Sequence, residues 1–223
     1  MANVDRGVCH IQLEQYDEAL ADADRAIELA PWLPEGYLVR ADVLTARSEL
    51  DAALADCATA VKVTPEDMKR VLAVSLKCRG SIEFALGRWA DAVRDLQFVD
   101  GSPDVVNTDR ALLLYFASER MGFDGREELM RHPTSSRPGW GKYVEGVIGG
   151  WMSENDTAKA IDGPDDRCMV DFYFGEWHLQ RKELDAARQR LAAVTGCHRD
   201  SLATVIGTAE LARLADSDAG RDR

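Results

Sequence analysis

Two stretches of this chain are one pattern written twice, 34 residues apart. In Arg6–Pro31, RGVCHIQLEQYDEALADADRAIELAP, the small residue Gly7 is followed by Tyr16, Ala19, Ala26 and Pro31. Ala41, Leu50, Ala53, Ala60 and Pro65 come in the same order at the same offsets. A period of this length marks a helix–turn–helix unit that cannot bury its apolar face alone and stacks on its neighbours. The sequence therefore predicts an all-α fold, a right-handed superhelical solenoid of paired helices.

The offsets have steric reasons. Paired helices approach to about 8–10 Å, which leaves room for only a small side chain where they cross. Gly7 and Ala41 meet that need on the first helix, and Ala19 and Ala53 on the second. A larger residue at these alanines would overpack the crossing at a cost of about 1–3 kcal/mol. Pro31 and Pro65 end the second helices, because proline has no N–H to donate and clashes with the preceding turn. The acidic residues of YDEA and LDAA suit the partial positive charge of a helix N-terminus.

On these residues the chain resembles the tetratricopeptide repeat family. A third copy follows at Gly80, Trp89 and Ala92, with a turn expected at Gly101–Pro103. Gly80 stands 39 residues after Ala41, five more than the period, and the extra residues fall around Glu66–Arg70. Arg6, Arg40 and Arg79 each precede the small residue and read as solvated structural contacts. Past Asn107 the period fails. ALLLYFASERM reads as an apolar helix capped by Gly122, Arg126–Arg131 as a short helical piece stopped by Pro133, and TSSRPG as a loop. Trp140, Tyr143, Val144, Val147 and Ile148 hold the spacing of an amphipathic helix. Ser153 with Asp156 starts a helix to about Ile161, and Asp162–Arg167 is an acidic loop. The pattern returns with Gly175, Leu184, Ala187 and Val194, and a last helix, Ser201–Ala215, covers the final repeat. The expected organisation is three repeats over 1–105, an irregular helical block over 106–167, a last repeat with capping helix over 168–215, and a disordered polar tail over 216–223. This order of blocks, with LLLYFASE and FYFG-x-W-x-L, resembles the NlpI-type bacterial tetratricopeptide proteins. That resemblance implies a non-catalytic, often homodimeric adaptor for proteases or cell-wall hydrolases at the envelope. No signal peptide or lipidation cysteine stands near the start, a departure that weakens the envelope reading.

Charge narrows the partners. With 27 basic and 39 acidic residues the formal balance is −12. Nucleic-acid affinity comes largely from Lys and Arg on phosphates, so this balance opposes it, and it equally opposes an anionic membrane surface. No apolar run reaches the length of a membrane-spanning helix. The five cysteines, Cys9, Cys57, Cys78, Cys168 and Cys197, are scattered and lack CxxC spacing; Cys9, Cys57 and Cys78 read as core-filling residues, and a reducing, cytoplasmic compartment is expected. Met1 falls about one residue into the first helix with no capping segment, which predicts packing on another copy or a chain that starts upstream.

Chemistry is sparse. His10 and His178 stand three residues after Gly7 and Gly175, and a repeat position predicts a packed, hydrogen-bonded histidine. Cys197–His198 as a nucleophile–base pair lacks an orienting group, and a thiol-dependent enzyme is the distant alternative. GWGKYVEGVIGG fails as a phosphate loop, since Ser136 and Tyr143 stand where glycine and Ser or Thr are needed. HLQRKELDAARQR lacks the spacing of a zinc site, and DGSPDVVNTD lacks the glycine and terminal Glu of a calcium loop. No enzyme, metal or cofactor is expected.

The remaining expectation is a binding surface. First helices line the concave face of stacked repeats, and their outward positions are the candidates. These are Val8 and Ile11 in the first repeat, and Leu38, Asp42 and Thr45 in the second. The third offers Lys77, Ser81 and Phe84, and the last Phe172, Glu176 and Leu179. Some members of the family hold a terminal carboxylate with Lys and Asn at set groove positions, but Val4 and Val8 stand there in the first repeat. The sequence thus points to a scaffold or adaptor that takes a peptide or helix of another protein in its groove. A homodimerisation module, or a piece of a larger repeat protein, is the runner-up.

Overall fold

The computed structural model describes residues 2–98, 108–126, 129, 139–197 and 202–221. All twelve elements among them are helices, with no strand, as an all-α helical-repeat solenoid requires. The chain forms two compact units, 1–106 and 107–223.

The first unit is three helical pairs: α1 (Ala2–Gln12) with α2 (Tyr16–Leu29), α3 (Pro34–Ala46) with α4 (Leu50–Val63), and α5 (Lys69–Ala85) with α6 (Trp89–Leu96). Ala19, Ala53 and Ala92 are completely buried at the crossings. A Cβ added to Gly7 would meet Val39 Cγ1 at 3.0 Å, and one added to Gly80 would meet Leu96 Cγ at 2.9 Å. The small-residue rule is therefore steric. Of the five extra residues before Gly80, most lengthen the helix, since α5 has 17 residues where α3 has 13.

Each pair closes through the same turn. Glu14, Ser48 and Gly87, each seven residues after the small position, adopt left-handed backbone with φ of 56°, 61° and 74°. The N–H of the next residue then reaches back to the last helical turn, as Gln15 to the His10 carbonyl at 2.9 Å and Arg88 to the Glu83 carbonyl at 2.8 Å. This is the Schellman closure of a helix C-terminus. Lys182 in the last repeat repeats it, with φ of 62°.

The second unit is built around α10 (Pro164–Gln180), paired with α11 (Leu184–Val194). Onto α10 pack α7 (Thr108–Arg120), α8 (Gly141–Gly149) and α12 (Leu202–Arg221), while α9 (Glu154–Ala160) contacts α8. An added Cβ at Gly175 would lie 2.6 Å from Leu191 Cδ2, so the last repeat obeys the same rule as the first three. Ser153 caps α9, accepting the Asp156 N–H at 3.1 Å.

Several expectations are corrected here. Pro164–Arg167 is the first turn of α10 and not a loop, because proline at N1 and acidic residues behind it favour a helix start. The last helix runs on to Arg221 past the expected end at Ala215. Four of the five cysteines are not free thiols but paired in disulfides. Cys57 bonds to Cys78, tying α4 to α5, and Cys168 bonds to Cys197 across the last repeat. Only Cys9, exposed on α1, is free. The turn expected at Gly101–Pro103 and most of Arg126–Arg131 and TSSRPG lie outside the described residues.

Candidate functional site

In the first unit the first helices lie side by side, α1 against α3 and α3 against α5, while second helices make only sparse contact with one another. Closer spacing on one side curves a stack toward that side, so the face of α1, α3 and α5 is the inner one. Five of the eight residues expected there reach solvent. Val8 is 41% exposed, Asp42 is exposed, and Ile11, Leu38 and Lys77 are half-buried. Asp42 keeps solvent contact in a recessed setting, and desolvation pushes its carboxyl up to about 6, with Lys77 acting in the opposite direction. Neither residue forms an ion pair among the described residues.

The other three are buried. Thr45 is buried and donates its hydroxyl to the Ala41 carbonyl at 2.7 Å. Ser81 is buried, and Phe84 is fully buried with its ring 5.0 Å from that of Trp89. The fourth-repeat candidates are corrected in the same way. Phe172 is 1% exposed and Glu176 fully buried, and only Leu179 keeps partial exposure. The cause is that α7, α8 and α12 all pack on α10 and cover the side expected to be open.

Behind the inner face of the first unit runs a ladder of ion pairs that the arginines alone only hinted at. Arg6 pairs with Asp22, Arg40 with Asp56 and Arg79 with Asp95, each through both carboxylate oxygens. In the middle rung Arg40 Nε and Nη2 each donate at 2.7 Å, and Nη1 donates to Asp24 at 2.8 Å, linking the second repeat back to the first. Hydrogen bonding to Arg6 holds the Asp22 carboxyl below the usual carboxylate range. The sequence signal was present, an aspartate sixteen residues after each arginine, but only a folded pair shows that the two meet.

Glu83 sits where the first repeat has His10. It is 6% exposed, and desolvation together with the nearby Asp95 charge pushes it up to about 7. His10 Nδ1 donates to Gln15 Oε1 at 2.7 Å, and His178 Nδ1 to Glu183 Oε2 at 2.7 Å, while the other ring nitrogen of His178 lies 3.0 Å from Glu154. In the second unit Glu176 takes Arg120 Nη2 at 2.8 Å, and the same nitrogen lies 3.5 Å from Glu210, which Arg213 also meets at 2.6 Å. Burial first, and the Glu210 charge next, raise the Glu176 carboxyl. Arg120 of α7 thus ties α10, through Glu176, to α12, through Glu210.

As a nucleophile Cys197 is engaged, its sulfur bonded to Cys168, and His198 lies outside the described residues. Among the described residues no group of three or more His, Cys, Asp or Glu could hold a metal, and no helix is long and apolar enough to cross a membrane.

The sequence profile of the tetratricopeptide repeat family matches residues 2–31, the first helical pair with its closing proline. That pair is similar to a tetratricopeptide repeat, a module that in general mediates protein–protein interaction. No curated protein matches the chain significantly.

Proposed function

We propose that the chain is a non-catalytic adaptor whose first unit receives a peptide or helix of a partner protein along α1, α3 and α5. One observation carries this reading. Val8, Ile11, Leu38, Asp42 and Lys77 reach solvent along adjacent first helices, with apolar side chains beside the opposite charges of Asp42 and Lys77. Such a surface suits a partner segment that brings apolar anchors and charges of its own. The NlpI-type order of blocks is in keeping with an adaptor at the cell envelope. Two disulfides favour a non-reducing compartment over the cytoplasm, where thiol buffers keep cysteines reduced.

The test is a crosslinking capture from native lysate with wild type, a Leu38→Asp, Lys77→Glu variant, and an Ala55→Glu control on α4, each checked for folding by circular dichroism. A partner held by wild type and the control but lost by the double variant is the expected result. A partner retained by the double variant overturns the reading, and self-association alone would replace it with a homodimerisation module.

A further inference from the structure

The last repeat breaks the rule that the first three keep. The position before the small residue holds Arg6, Arg40 and Arg79 in turn, but then Phe174; the position fifteen after it holds Asp22, Asp56 and Asp95, but then Arg190. Where a chain departs from its own local rule, a functional reason is to be sought. Here the departure opens a cavity of about 220 Å³ beside Phe174 and Arg190, below the roughly 300–1,000 Å³ of drug-sized sites.

Ile161, Val170 and Phe174 give the cavity a buried apolar floor, and Ala158 stands at its edge. Arg190 does not offer its charge to a ligand. It donates to Asp171 and Glu154, each at 2.6 Å, and its guanidinium lies 5.2 Å above the Phe174 ring. Asp171 is thereby neutralised as well. The other cation of the cavity, Arg167, is exposed, and its hydrogen bond goes to the Ile161 carbonyl at 3.3 Å, leaving donors of its planar fork for an incoming group. A guanidinium fork matches a carboxylate with two parallel hydrogen bonds.

We propose that this cavity binds a small carboxylic acid with a compact apolar body, the carboxylate on Arg167 and the body against Phe174, Val170 and Ile161. The same chemistry is offered by a free branched-chain acid and by the last residue of a polypeptide. The chain's net charge of −12 opposes anions at long range, so binding rests on short-range fit and is expected near 1 mM, about −4 kcal/mol.

The test titrates the full chain with isovalerate, N-acetylvaline and the neutral isovaleramide, followed by calorimetry and saturation-transfer NMR. The expected result is that at least one acid binds ten or more times tighter than the amide. Arg167→Gln, at an exposed position, should erase that preference without changing the circular dichroism, and Ala158→Trp should block all three ligands. Tighter binding of isovalerate identifies a free acid as the source of the chemistry, and tighter binding of N-acetylvaline a chain terminus. Equal binding of acid and amide, a preference that survives Arg167→Gln, or no binding of either acid overturns the proposal.

Discussion

At the residue scale, what makes the ladder aspartates tolerable is their partners. Asp56 is 6% exposed, and a carboxylate so placed without a counter-charge would carry its desolvation cost uncompensated. Arg40→Met is expected to destabilise the chain by about 1–3 kcal/mol, a figure reduced from fully buried pairs because Arg40 is part-exposed. Adding Asp56→Leu to it should recover most of the loss, since a buried pair replaced by apolar residues is nearly neutral. Urea unfolding of the two single variants and the double variant closes the cycle. Glu83 works by the opposite sign. Its folded-state carboxyl at about 7 lies above its ordinary value of 4.5, so between those pH values the folded chain keeps a proton that the unfolded chain has released. Its contribution is full below about pH 4.5 and lost as pH rises through 7. Unfolding free energies at pH 5 and pH 8 should therefore differ by about 1–2 kcal/mol less in Glu83→Gln than in wild type. Glu176 shares this direction, whereas Asp22, held low by Arg6, withdraws its stabilisation only as pH falls into the acid range.

At the element scale, the recurring turn asks for a left-handed residue and receives glycine only once among four repeats. Outside glycine that conformation costs about 1–2 kcal/mol. Ser48→Gly and Lys182→Gly are expected to stabilise by about 0.5–1 kcal/mol, part of the relief being offset by glycine's greater freedom in the unfolded chain. Gly87→Ala should destabilise by about 1–2 kcal/mol. Shifts of the urea midpoint at constant slope would check all three. The helices and their crossings were legible because Gly7, Ala41, Gly80 and Gly175 answer a steric demand at fixed intervals. The covering of α10 was legible only in part: α12 was expected to cover the final repeat, whereas α7 and α8 reach it from outside the period and follow no repeated offset. Phe84 was misread for a related reason: its place on the helix points to the open face, but the Trp89 ring closes over it. Asp42 and Lys77 were legible as surface because their offsets from the small residue place them on the outward side of the first helices.

At the scale of the whole molecule, each unit carries one disulfide, and this too escaped the sequence because cysteine pairs obey distance in space and none of the repeat's spacing. Thiol titration of the native, unreduced protein should find one reactive group per chain, Cys9, out of five cysteines. The bridges close segments with sequence separations of 21 and 29 residues, and reduction should cost about 3 kcal/mol for each, read as a lowered thermal midpoint.

The bridge between α4 and α5 spans the seam where the second repeat meets the third. In a stack held together by nearest-neighbour contacts, seams are where the array parts when its ends fray or are pulled. A covalent rivet at this seam keeps the two repeats from separating, so loosening that begins at the first helix halts there. Under tension the residues between the two sulfurs add no length to the extended chain until the bond itself is cut.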